Sequence, residues 1–134
     1  MHRELRACEE QLQADNLILW VYSEALNALT VLLSTSLKLE ENFTQTLEQG
    51  VTSQCFLVCL PILEKDLASH PSHDPSFDQL SGRPVQSLMA APIYQEDEPY
   101  GVLTAARFRE SRFEQEFSPN SLQQLQTIAL NLKF

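Results

Sequence analysis

The chain has 134 residues, 43% of them apolar and 20% charged, with a formal net charge of −9 and an isoelectric point near 4.6. That size suits one domain with its own core, and whole-chain disorder is excluded by the apolar content. The acidic balance argues against nucleic acid or an anionic membrane as partner, since both are themselves negative.

The N-terminus reads His2-Arg3-Glu4 without an apolar signal core, and no 18-residue apolar run follows anywhere, so a cytoplasmic protein is expected. Cys8, Cys55 and Cys59 are odd in number and sit in apparently regular segments. They read as reduced thiols buried as small hydrophobes, not as a disulfide framework.

In chain order, a leucine recurs at every seventh position through Leu5, Leu12, Leu19, Leu26 and Leu33, with Cys8, Asp15, Tyr22 and Leu29 three residues after each. This repeat predicts a helix of about 33 residues carrying Leu5 to Leu33, a rod of about 50 Å at 1.5 Å rise per residue. Residues 1–36 then form an N-terminal helix continuous with a domain over 37–134. Two uses of the rod compete: a homodimer seam of Leu5, Leu12, Leu19 and Leu26, or one amphipathic helix lying on its own sheet. The narrow apolar stripe of the first turns favours the dimer, and Asp15 at a seam position weighs against it.

Ser34-Thr35-Ser36 breaks the rod, and Leu39, Phe43 and Leu47 at spacings of four predict a second helix from Leu37 to Gln49, stopped by Gly50. The apolar run Gln54 to Leu60, ended by Pro61, reads as a buried strand. From Glu64 to Arg83 the composition turns polar with His70-Pro71, Asp74-Pro75 and Arg83-Pro84, which predicts loop. Two apolar runs, Ser87 to Tyr94 and Tyr100 to Ala106, flank Gln95-Glu96-Asp97-Glu98-Pro99 and predict an antiparallel hairpin over about Gln86 to Phe108. Ser118 before Pro119 announces a last helix whose face is Leu122, Leu125, Ile128, Ala129 and Leu132.

The run from Asp74-Pro75-Ser76-Phe77-Asp78 through Gly82 to Ser87-Leu88-Met89-Ala90-Ala91-Pro92-Ile93, followed by Gly101-Val102-Leu103 and Phe117-Ser118, resembles the second half of a GAF domain. That family supplies sensor modules to cyclic-nucleotide phosphodiesterases, phytochromes and many bacterial regulators. The resemblance spans Leu37 to Phe134 and is most specific over Asp74 to Leu103. It implies an α+β fold, with an antiparallel sheet and helices from both termini packed on one face. Only about 24 residues separate Gly50 from Asp74, so a shortened member with three to four or more strands is expected. The resemblance also implies a cleft under the 64–83 loop, with Phe77, Asp78, Leu80, Arg83, Ser87, Leu88, Ala90 and Leu103 as ligand-binding candidates.

Catalysis finds no residues to carry it. His70-Pro71-Ser72-His73-Asp74 has metal-binding residue types, but in a proline-containing loop without a second ligand pair solvated histidines are the better reading, and no metal is expected. Cys55 and Cys59 have no cation close in sequence to lower a thiol pKa, which argues against the thiol-dependent free methionine sulfoxide reductases of the same family. Ser76 stands where bilin-attaching members need a cysteine, and the Asn and Lys of the cyclic-nucleotide signature are missing. No cofactor is expected. The expected role is a non-enzymatic signalling or regulatory module, homodimeric through its terminal helices, with an optional small-molecule ligand and a signalling-protein partner. The competing role is a degenerate scaffold for protein interaction without ligand.

Overall fold

The computed structural model describes residues 1–39, 43–48, 50–67, 84–113 and 117–132. The hairpin is where the sequence places it: β5 (Val85–Gln95) and β6 (Glu98–Phe108) pair antiparallel, Gln95 opposite Glu98, around Glu96 and Asp97. Both turn residues have positive φ, 53° and 66°, which matches the right-handed twist of the flanking strands.

Helix does not extend over 5–33. The first helix, α1 (His2–Leu12), ends at Gln13 in the left-handed region, and the chain then enters β1 (Asn16–Ser23) and β2 (Ala28–Ser34). The physical reason lies in β1. Leu17 and Leu19 point into one apolar layer while Ile18 and Trp20 point into the other, so a strand covered on both faces shows no period of two. Asn27, with φ 48°, closes the β1–β2 turn, and the Tyr22 hydroxyl donates to its Oδ1 at 2.7 Å. Asn16–Ser23 and Ala28–Ser34 therefore belong to the same sheet as the rest of the chain, where the sequence predicts an N-terminal helix over 1–36.

The expected Leu37–Gln49 helix is replaced, where described, by an edge strand β3 (Thr44–Thr46) paired with β2. The expected 54–60 strand is instead part of a helix, α2 (Val51–Val58), begun by Gly50 at φ 93° and ended by left-handed Cys59. Val51, Thr52, Ser53 and Cys55 are its buried residues. A short β4 (Ile62–Glu64) pairs with β5.

All strands join one six-stranded antiparallel sheet of order β3-β2-β1-β6-β5-β4. Six strands fall within the expected three to four or more, and two of them come from the segment predicted as a helical rod. The last helix, α3 (Pro119–Leu130), starts as predicted: the Ser118 hydroxyl accepts from Ser121 N at 3.2 Å, and the Ser121 hydroxyl accepts from Ser118 N at 3.3 Å.

Two cores lie on opposite sides of the sheet. Leu5 and Leu12 of α1 and Leu125 and Ala129 of α3 pack on Leu17, Leu19, Met89, Ala91, Leu103 and Ala105. Val51 and Cys55 of α2 pack on Ile18, Trp20, Leu88, Ala90 and Val102. The helices from the two termini share one face, as the sequence predicts, and α2, a helix where a strand is expected, lies on the other.

The terminal helix α1 is fixed at two points. Its buried Glu9 accepts hydrogen bonds from the hydroxyls of Thr35 and Ser36, the latter at 2.6 Å. Asn16 Oδ1 accepts from Ser36 N at 2.8 Å and Leu37 N at 3.0 Å, which closes the same polar cluster. Just past the C-terminus of the same helix, Arg107 Nε donates to Gln13 O at 2.8 Å, with its guanidinium 4.2 Å from the Phe117 ring centroid. Burial draws the Arg107 pKa down and nearby Asp15 opposes that shift.

Gly101 sits opposite Val21 at the centre of the sheet, and a Cβ there would stand 1.9 Å from the Trp20 carbonyl oxygen. Gly101→Ala is expected to cost about 3 kcal/mol, since backbone on both sides must separate, and to lower Tm by roughly 10 °C in thermal unfolding. Glu9→Ala is expected to cost about 2 kcal/mol by removing the acceptor of the Ser36 hydroxyl and one of those of Thr35, whose hydroxyl keeps Asn16 Oδ1 and Leu17 O within reach, read by urea unfolding at neutral pH.

Candidate functional site

The face of the sheet that α2 covers is built from β1, β5 and β6. Trp20 is its largest side chain and is fully buried. Its indole Nε1 donates to Thr104 Oγ1 at 3.1 Å, across 84 residues of sequence, so the polar edge of the ring is satisfied within the apolar layer. Phe43 lies against it with ring centroids 5.9 Å apart, and Tyr22 stacks on Phe56 of α2 at 5.1 Å and 19°. α2 is held over this layer by Val51 and Cys55, and by the Ser53 hydroxyl, which donates to Thr46 O at 2.5 Å.

The ligand candidates divide. Leu88 and Ala90 face α2 within this layer. Leu103 is buried on the opposite face beneath the terminal helices, and Ser87, buried and one residue out of phase with Leu88, belongs on that opposite face by strand alternation. Those four residues do not share one cavity. Phe77, Asp78, Leu80 and Arg83 lie outside the described residues, as do His70, His73 and Asp74 and most of the 64–83 loop.

The seam candidates are placed differently from expectation as well. Leu5, Leu12 and Leu19 are buried inside the chain's own core, and Leu26 is an exposed turn residue between β1 and β2. They do not form one stripe. The α1 and α3 helices leave a cleft of about 390 Å³ between them, lined on α1 by Glu4, Leu5, Cys8 and Gln11 and on α3 by Gln124, Thr127, Ile128, Asn131 and Leu132. Its floor is apolar and its rim is amide and hydroxyl, with Glu4 as the one charged lining residue.

The thiols are poorly set for nucleophilic chemistry. Burial pushes the Cys55 pKa up to about 12, and neighbouring Cys59 adds to the rise. Cys8 is raised by burial and by the Glu4 carboxylate. Among the described residues no three His, Cys, Asp or Glu side chains converge as a metal site.

The GAF domain model matches residues 1–133. The chain belongs to the GAF domain family. Several solved structures share its fold. The GAF domain of a phosphoenolpyruvate-protein phosphotransferase from Coxiella burnetii superposes with a TM-score of 0.72 at 18% identity, over 91% of this chain and 71% of that one. The A. Aeolicus nlh2 GAF domain in an inactive state gives 0.73 at 19% identity, over 97% and 78%. The free methionine-R-sulfoxide reductase from Neisseria meningitidis, in complex with its substrate, gives 0.75 at 14% identity, over 96% and 71%. No curated protein sequence matches the chain. At these identities the likeness is one of fold. GAF domains act as sensory and regulatory modules in signalling proteins. Among the described residues no helix of this GAF domain is long and apolar enough to cross a membrane.

Trp20, Thr104, Phe43 and Phe56 escaped the sequence reading. The available signal was Trp20 itself, the chain's single tryptophan, set in an apolar run rich in strand formers.

At pH 8 a thiol with a pKa near 12 is thiolate to roughly one part in ten thousand. Iodoacetamide under native conditions is therefore expected to leave Cys55 unmodified while half-buried Cys59 reacts, with both labelled in guanidinium and counted by peptide mass spectrometry. Native labelling of Cys55 at the denatured rate would mean that α2 is not seated as described.

Proposed function

We propose that this GAF domain is a non-enzymatic regulatory module that takes a small molecule on the α2 side of its sheet and passes the occupied state to the terminal helices on the other side. The observation that supports this most directly is the division of the helices. Among the described residues α2, eight residues long, is the helix on the Trp20 face, joined there by Phe43 and Leu67, whereas α1 and α3 together cover the reverse. One sheet layer lies between them. Movement of α2 against Trp20, Leu88 and Ala90 would bear on Leu103 and Ala105 through the same two strands, β5 and β6. Such coupling requires that the helices have two arrangements with different affinities for the ligand.

The same reading includes homodimerisation through α1 and α3. Glu4, Cys8 and Gln11 flank the cleft at spacings of four and three, and Gln124, Ile128 and Asn131 do so in the same spacing on α3. Two matched stripes beside a half-apolar groove suit a helix from a second copy. The thiol-dependent enzyme remains the contrasting reading, and the raised Cys55 and Cys8 pKa values stand against it.

Removing α1 would remove Leu5 and Leu12 from the core, so the dimer is better tested at the rim. Gln124→Arg with Thr127→Arg is expected to halve the mass seen by light scattering relative to the parent dimer while leaving Tm within a few degrees. A parent chain at 15.2 kDa would remove the dimer from the proposal. For the ligand, native mass spectrometry of the purified chain is expected to show a small noncovalent adduct that Ala90→Phe abolishes. An adduct retained by that variant would move the site elsewhere. Turnover of free methionine-R-sulfoxide with a dithiol reductant would overturn the non-enzymatic reading.

A further inference from the structure

The residues Leu57-Val58-Cys59-Leu60-Pro61-Ile62-Leu63 run without a polar side chain from the end of α2 into β4, and several of them stay in contact with solvent. Leu57 is 58% exposed, Val58 48% and Leu60 61%. Tyr94, 44% exposed, stands beside them, because its hydroxyl donates to the Cys59 carbonyl at 3.3 Å. These side chains come from the end of α2, the linker to β4 and the end of β5. The Tyr94 hydrogen bond gathers them at one corner of the fold. Large apolar side chains scattered singly need no explanation, but a cluster of this kind marks an interaction site.

The surroundings of the ridge point to the chemistry of its partner. Two residues beyond Tyr94 the β5–β6 turn presents Glu96, Asp97 and Glu98, all exposed. α2 has no basic residue in its last turn, so the negative end of its dipole faces the ridge without a cation from its own helix. The chain as a whole carries −9. A second copy would bring the same acids to the same corner and be repelled, and an anionic lipid surface would be repelled as well.

We propose that Leu57, Val58, Leu60 and Tyr94 form a docking surface for a segment of a partner protein that is apolar and carries Lys or Arg. The apolar side chains of that segment cover the ridge. Its cations meet the Glu96-Asp97-Glu98 turn and the C-terminal end of α2. Ile62 to Glu64 of β4 lie at the outer edge of the described sheet next to the ridge, so an extended segment also finds backbone groups to pair with. This surface is separate from the α1–α3 cleft and does not depend on the dimer or on the small molecule.

The test uses the full chain, labelled with nitrogen-15, and a short synthetic amide of leucine and lysine as probe. Amide shifts are expected to be confined to Leu57–Leu63 and Tyr94–Glu98. Leu57→Ser with Leu60→Ser, and separately Glu96→Lys with Glu98→Lys, are each expected to weaken the probe by roughly tenfold in titration calorimetry. All four positions are largely exposed, so folding is retained, and Leu130→Ser at the exposed face of α3 should leave the affinity unchanged. Three results would overturn the proposal. One is equal binding of the same amide with glutamate in place of lysine. Another is a shift map centred elsewhere. The third is self-association, or capture by anionic phosphatidylserine vesicles, that the Leu57→Ser, Leu60→Ser pair abolishes.

Discussion

The close approach of Gly101 to the Trp20 carbonyl is the constraint on which the architecture rests. It fixes β1 against β6 with Val21 opposite Gly101 and Asn16 opposite Ala106, and so brings an N-terminal strand into the middle of a sheet completed near the C-terminus. Once that pair is set, β2 and β3 extend one side and β5 and β4 the other. A slip of one residue would exchange the two cores, because Leu17 and Leu19 would then face α2 while Ile18 and Trp20 faced the terminal helices. The hydrogen bond from Trp20 to Thr104 spans the same strand pair, so it reinforces the register.

With the register fixed, the terminal helices become part of the core instead of an appendage to it. Glu9 and Arg107 show how. Glu9 accepts hydrogen bonds from the Thr35 and Ser36 hydroxyls just past β2, and the guanidinium of Arg107 closes the carbonyl end of α1 while lying against Phe117 just ahead of α3. Leu5 and Leu125 meet in the same apolar layer. Both helices pack on β1 and β6, the strands that also carry Trp20 and Val102 on the reverse face. Mechanical continuity between the faces follows from the sheet being one layer thick.

The hairpin and the last helix were legible because each carries local punctuation: a polar turn with proline between two apolar runs, and Ser118 before Pro119. The antiparallel sheet and the family resemblance followed from that part of the chain. The N-terminal half was misread for one physical reason seen twice. β1 is buried on both faces, so its apolar residues give no alternation, and leucines seven apart supplied a false helical period. α2 is a short helix enclosed by apolar surroundings, and its run of eight residues has the length and composition of a buried strand. The separating evidence was in the punctuation: Asn27 and Gln13 adopt left-handed conformations that end or turn the chain, and Gly50 precedes the helix that it begins. The site suffered from the same error. With Trp20 expected on a helix, the aromatic layer it centres is invisible, and Leu103 is grouped with Leu88 and Ala90, which lie on the opposite face.

The turn at Glu96 and Asp97 carries one more implication. Two-residue hairpins of this hand favour asparagine and glycine, whose small or absent side chains tolerate positive φ, yet this chain sets two acids there at 53° and 66°. Each such residue sits in a sparsely populated backbone region at a cost of order 1 kcal/mol. The loop that would fold most easily has therefore been given up for one that holds carboxylates at a set height above the end of β5. Conformational ease and surface charge pull in opposite directions at this corner, and charge has prevailed.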